Sequence, residues 1–257
     1  MEKRKQECEF SVMAGNQQTS RSDGRPKQGV LIRIGRNIRH PINLWFGRQS
    51  LVEDTPLLDP ACLPALEELR QNWKVVAEEL APLIVERQQI PAFGKISPDH
   101  RRIASTPAWK SYFFQGYGFH ADANRSKCPQ TSAMLDRIPG LVVAFFSIME
   151  PNTHVPSHRG LTKAWINCHL PIMVPKGPER CAMDVAGNLV RWREGEWLLF
   201  DETNPHEVWN ETSEVRVVLF LQVMRPMRWP GRLAARIIHG IIRRSRFVQD
   251  VRREIGS

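Results

Sequence analysis

Two histidines at predicted strand edges have the residue type and setting for metal chemistry: His158 in Pro-Ser-His-Arg-Gly, and His206 in Phe-Asp-Glu-Thr-Asn-Pro-His-Glu-Val-Trp-Asn. Two imidazoles converging from different strands can bind an ion such as Fe(II). If that ion worked with 2-oxoglutarate, two carboxylates would need cations or hydroxyls, and Ser147, His169 and Arg216 stand on neighbouring predicted strands. His206 and Arg216 have an even offset, which puts both on one face of an unbroken strand, although a turn through Asn210 to Ser213 can reset the register. A plainer reading stays open, because a strand histidine is more often a hydrogen-bonded structural residue and 8 histidines make accidental pairs.

Other residues near these two read more modestly. His154 is close to His158, but Pro156 and the strand-like context remove the helical geometry of an i, i+4 metal pair, so it reads as structural. Asp201 and Glu202 are either acceptors that orient the His206 imidazole or part of a solvated loop. Trp109, Tyr117 and Trp209 read as pocket walls or as core filling.

The elements that must position these residues are β-rich. Between Ile138 and Met224, short β-branched and aromatic runs are cut by Pro and Gly: Leu141–Met149, Ala164–Val174, Trp197–Phe200, Glu207–Trp209 and Val215–Val223. That spacing predicts a sandwich or barrel, with hairpin turns at Gly187-Asn188 and Glu194-Gly195. Upstream, Leu66, Leu69, Trp73, Val76 and Leu80 make an apolar stripe that predicts a core-packed helix within residues 60–87. Val30, Ile34, Ile38 and Ile42 suggest a basic surface helix, which Gly35 and Pro41 weaken. Beyond Pro230, residues 231–257 read as a basic amphipathic helix interrupted at Gly240, either docked on the barrel or touching an anionic membrane. Residues 1–28 are polar and charged and predict a mobile tail.

Composition sets outer limits. A chain of 257 residues, 42% hydrophobic, can bury one sizeable core, so residues 29–230 are expected to form one domain with its β-core over about 138–226. The net charge of +9 favours anionic partners, but zinc-finger spacing, RNP-like motifs and a Gly-Lys phosphate loop are all missing, so no specific nucleic acid is expected. Five scattered cysteines without a CxxC pair, and a charged start with no apolar signal core, lead to the expectation of a cytoplasmic protein with free thiols, either free in solution or peripheral to the inner membrane face.

Three blocks carry a resemblance: Phe146 to Gly160, Trp192 to Asn210, and Arg216 to Pro226. Together, over about Trp109 to Pro226, the chain resembles the aspartyl/asparaginyl β-hydroxylases, a family whose bacterial members include lipid A acyl-chain hydroxylases and free-proline hydroxylases. The resemblance implies a mainly β fold, a double-stranded β-helix (jelly-roll, cupin-like) barrel with flanking N- and C-terminal helices. It implies Fe(II) on His158 and His206, and 2-oxoglutarate and O₂ as cosubstrates. Ser147 and Arg216 would take the distal carboxylate of the keto acid, and His169 the nearer one. The expected reaction is hydroxylation of an unactivated carbon, with an aspartyl, asparaginyl or other amino-acid or peptidyl side chain slightly preferred over a lipid acyl chain.

Two departures stand out. Gly160 occupies the place of the usual carboxylate ligand, as it does in several family members, and halogenation is a minor alternative there. Asn167 stands where the family usually has an arginine, so cosubstrate binding would weaken unless Lys163 or Arg159 reaches in. A barrel that kept its shape as a binding module and lost turnover is the remaining alternative.

Overall fold

The long central strands are buried along nearly their whole length because both faces of their sheet are covered. A computed structural model describes residues 30–96, 107–177 and 180–255; the tail expected over residues 1–28 lies outside the described residues. The chain divides into two compact units, Met1–Asn37 and Ile38–Ser257; the described part of the first is helical, and the second carries every strand.

The elements run α1 (Val30–Gln49), β1 (Leu57–Leu58), α2 (Glu67–Gln71), α3 (Trp73–Val85), α4 (Phe93–Ile96), β2 (Trp109–Gly116), β3 (Phe119–His120), α5 (Asp122–Lys127) and α6 (Pro129–Asp136). There follow β4 (Leu141–Met149), β5 (Thr153–His158), β6 (Trp165–Met173), β7 (Cys181–Val185), β8 (Asn188–Val190), β9 (Leu198–Phe200), β10 (His206–Asn210), β11 (Arg216–Met224), α7 (Trp229–Arg243) and α8 (Arg246–Ile255). A seven-stranded sheet in the order β1-β9-β6-β11-β4-β2-β3 faces a four-stranded sheet in the order β5-β10-β7-β8, and all the pairings are antiparallel. This is the jelly-roll arrangement expected from the sequence.

Period-two alternation assigns the faces. Ala144, Phe146 and Ile148 of β4 and Val217, Leu219 and Leu221 of β11 pack outward against Leu69 of α2 and Val76 and Leu80 of α3. The intervening residues, among them Phe145, Ser147, Met149, Asn167, His169, Arg216, Phe220 and Gln222, line the cavity between the sheets. Polar groups on long apolar strands are therefore confined to one register, where they converge.

Several sequence expectations need correcting. The strand core reaches upstream of residue 138: β2, Trp109–Gly116, pairs with β4 along most of its length, and the short β1 pairs with β9. The helical lead-in is broken at Asn72, whose side-chain Nδ2 and backbone N–H both turn back to the Glu68 carbonyl. At the C-terminal end α7 starts at Trp229, runs through Gly240 and stops at Arg244, with α8 following. A helix glycine costs about 1 kcal/mol relative to alanine, too little to break a helix whose Ala235 is buried in a cluster with Phe46 and Trp165. Pro41 is likewise accommodated inside α1, where Asn43 and Phe46 are buried. The expected β7–β8 hairpin forms, but its turn is Ala186-Gly187, at φ 52° and 85°, the double positive φ of a tight two-residue turn, one residue before the expected Gly187-Asn188; Glu194-Gly195 makes no hairpin, since β8 pairs with β7 and β9 with β6 and β1.

Candidate active site

His158 ends β5 and His206 opens β10, and the two are direct partners across that antiparallel pair. Cross-strand neighbours share a face, and the two ring centroids lie 4.1 Å apart. The chain just before each ring fixes its proton: Nδ1 of His158 donates to the Pro156 carbonyl at 2.8 Å, and Nδ1 of His206 to the Asn204 carbonyl at 3.0 Å. A carbonyl only accepts, so Nδ1 carries a proton on both rings, and in the neutral ring Nε2 is then the nitrogen that can bind metal. Desolvation, and secondly the neighbouring His158, push His206 down to about 4, so its ring is neutral at ordinary pH.

The facing sheet brings the remaining groups. Arg216 is buried, with its guanidinium 4.3 Å over the Trp192 ring, and it donates to the Ser147 carbonyl at 3.5 Å and towards the Met149 sulfur at 2.7 Å. Its Nε–H meets no acceptor among the described residues, and Nδ1 of buried His169 has no partner either. Burial draws Arg216 down to about 10 and His169 well below the usual histidine range, the latter with Arg216 and His206 adding to the effect. The Ser147 hydroxyl accepts from Trp109 Nε1 at 3.0 Å, which leaves its own proton to donate. A buried cation and two buried nitrogens short of partners make a donor set suited to an anionic ligand such as a carboxylate.

All five residues line one cavity of about 650 Å³. Among the described residues no group of three His, Cys, Asp or Glu is placed to hold a metal; what the fold brings together here is the imidazole pair. A Cβ at Gly160 would run into the Glu202 carboxyl group, so with Glu202 in this position residue 160 has no room for a carboxylate side chain.

Glu202 is the residue whose part the sequence reading understated. It is buried and accepts from Leu161 N at 3.0 Å, Trp165 Nε1 at 3.2 Å, Asn167 Nδ2 at 3.1 Å and Gln222 Nε2 at 3.0 Å. Desolvation raises its pKa despite those donors. Neither it nor Asp201 hydrogen-bonds the His206 ring, as one sequence reading had it. Asp201 instead binds Arg225 at 2.7 Å and Lys163 at 2.6 Å, which anchors the loop before β10. Lys163, also paired with Asp54, is thereby held away from the cavity, so it does not replace the missing arginine. Asn167 lines the cavity but is engaged by Glu202 and by Gln222, at 3.1 Å. Arg159 also lines the cavity, while donating to the Thr203 carbonyl at 3.0 Å.

A family model for aspartyl/asparaginyl β-hydroxylase matches residues 70–226. The chain belongs to this family. It is 36% identical over 191 residues, 74% of this chain and 67% of the relative, to an ornithine lipid ester-linked acyl 2-hydroxylase of Rhizobium tropici. It is 27% identical over 170 residues to a human aspartyl/asparaginyl β-hydroxylase, of whose length it spans only 22%, against 64% of its own. Among solved structures, a Pseudomonas putida prolyl-4-hydroxylase aligns over 61% of this chain and 87% of its own at TM-score 0.38 and 14% identity, too loose a match to add to the topology.

Within this hydroxylase family member, the remaining sequence candidates separate cleanly. Trp109 and Tyr117 line the cavity. Trp209 lies outside it, stacked with His154 and covered by Arg180 at 4.1 Å, while His154 pairs with Glu207 at 2.6 Å. Trp192, which supports Arg216, and Gln222, which holds Glu202, had not been singled out. Gln222 shares the parity of Arg216 on β11, a signal that could have found it; Trp192 follows β8 and carries no such signal.

Proposed function

We propose that the protein is an Fe(II)- and 2-oxoglutarate-dependent hydroxylase acting on the acyl chain of a lipid. His158 and His206 would hold the iron through Nε2. Arg216 and the Ser147 hydroxyl would take the distal carboxylate of the keto acid, and His169 the one nearer the metal. The carrying observation is Arg216: a buried cation with an unsatisfied Nε–H, in the same cavity as the histidine pair, has the chemistry of a carboxylate receptor. Bound iron would supply the activation of O₂, with the keto acid oxidised to succinate and CO₂. The protein's own residues would orient the keto acid, hold the Nδ1 protons of both imidazoles on backbone carbonyls and surround the substrate with an aromatic wall that excludes water.

The acyl substrate is supported by what stands around the histidines. Phe93, Phe113, Phe145, Trp165 and Phe220 line the cavity; the cation the family usually offers at position 167 is an asparagine already engaged by Glu202. That aromatic lining would match the methylene groups of an acyl chain well. The Rhizobium relative's acyl substrate fits that chemistry better than the amino-acid side chain slightly preferred from the sequence.

The test is anaerobic titration of apoprotein with Fe(II), with and without 2-oxoglutarate, followed by the visible charge-transfer band of a keto acid chelating iron. The band should form in the native protein and disappear in His206→Ala. Its absence from native protein at saturating keto acid would overturn the cosubstrate assignment. Hydroxylation of free aspartyl peptides but not of acyl lipids would overturn the substrate.

A further inference from the structure

Trp229, Leu233, Ile237 and Ile241 follow one another at i, i+4 spacing on α7, and each is more than half exposed, Trp229 to 70% and Ile241 to 65%. Their opposite face is buried: Ala235 packs in one cluster with Met227, just before the helix, Phe46 of α1 and Trp165 of β6. The exposed ridge is therefore not the side that holds the helix to the barrel. Arg232, Arg236 and Arg243 are exposed on its flank, and between Pro226 and Gln249 the sequence contains neither Asp nor Glu. An apolar ridge beside an uncompensated row of arginines matches a bilayer surface, where acyl chains lie just beneath anionic phosphates.

The ridge adjoins the cavity opening. Ile242, the residue after the last ridge position, lines the catalytic cavity, and so do exposed Arg159 and Leu161. Leu161 is 52% exposed, and its carbonyl accepts from Asn43 of α1. No described helix is long and apolar enough to cross a membrane, so this face has the means to lie on a bilayer and not to span it.

We infer that α7 is a docking surface for an anionic lipid bilayer, set so that an acyl chain passes from the membrane past Leu161 and Ile242 to the histidine pair. This rests on the acyl-chain reading above for its purpose, but not for its test.

The test is sedimentation of the full chain with phosphatidylcholine vesicles containing or lacking phosphatidylglycerol, without iron or keto acid. Binding should need the anionic lipid and fall as salt rises, because counterions screen the arginines. Arg232→Gln/Arg236→Gln should weaken it by roughly thirtyfold, at about one headgroup attraction per arginine removed. Leu233→Ser/Ile237→Ser should weaken it independently of salt. All four positions are exposed, so the fold should survive, which circular dichroism checks. Failure to bind anionic vesicles at low salt, or undiminished binding by both variants, would overturn the inference. For the loaded enzyme, the variants should lose turnover on vesicle-embedded lipid and keep it on detergent-dispersed lipid; equal loss on both would also overturn it. Vesicle binding without hydroxylation of any acyl lipid would leave the docking surface standing and remove the substrate reading.

Discussion

At the scale of single residues, Arg216 is the most costly group in the site. Burying a guanidinium without a carboxylate is unfavourable, and a group of that kind in a domain core marks function before stability. Arg216→Met, close in volume, should leave apoprotein stability unchanged or raise it by about 1–4 kcal/mol in denaturant unfolding. The same change should weaken 2-oxoglutarate binding about tenfold to a hundredfold, the loss of one charge-assisted contact. A destabilised apoprotein with intact keto-acid affinity would mean that Arg216 is structural.

At the scale of elements, the site depends on two loops meeting. The loop after β5 brings Gly160 against Glu202 of the loop before β10; the Gly160 N–H donates to the Glu202 carbonyl at 2.5 Å, while the Glu202 carboxylate ties back to β6 and β11. Gly160 is required here by close approach and not by a special φ. Gly160→Ala should therefore destabilise the protein, and should do so less in a Glu202→Ala background, where the obstructing carboxyl is gone. A double-mutant cycle in denaturant should give a coupling of about 1 kcal/mol or more. Additive effects would show that the loops do not constrain each other. The same contact explains why position 160 carries no side chain: the loop geometry that locks Glu202 between Trp165, Asn167 and Gln222 leaves no room for one.

At the scale of the whole molecule, the two halves of the site belong to different sheets. The histidine pair stands on the four-stranded sheet, and Ser147, His169 and Arg216 on the seven-stranded one. A metal held by the histidines alone would engage one sheet, whereas a keto acid bound to that metal and to Arg216 would link both. Fe(II) with 2-oxoglutarate should thus raise the Tm under argon by more than Fe(II) alone. At a hundred times the dissociation constant the linkage should be worth about 2.7 kcal/mol. A shift with iron that does not grow on adding the keto acid would argue against a ligand spanning the sheets.

Short β-branched and aromatic runs by themselves determined a sandwich or barrel, and the three motif blocks, by resemblance, singled out His158, His206, Ser147, His169 and Arg216 as candidates. Ser147, His169 and Arg216 share strand parity with other cavity-lining residues, and parity is a local property that survives into the fold. Parity did not reveal that His206 and Arg216 lie on opposing sheets, since the intervening turn is short and the pairing partners are remote in sequence. Nor did it place Glu202 against Gly160, retire Lys163 into an ion pair with Asp201, or carry α7 unbroken through Gly240. Each of these depends on contacts between segments far apart in the chain, where packing outweighs local propensity. The basic amphipathic character of α7 was legible as a helical period; which side of it faces the barrel, and that its exposed ridge ends beside the cavity, only the tertiary structure decided.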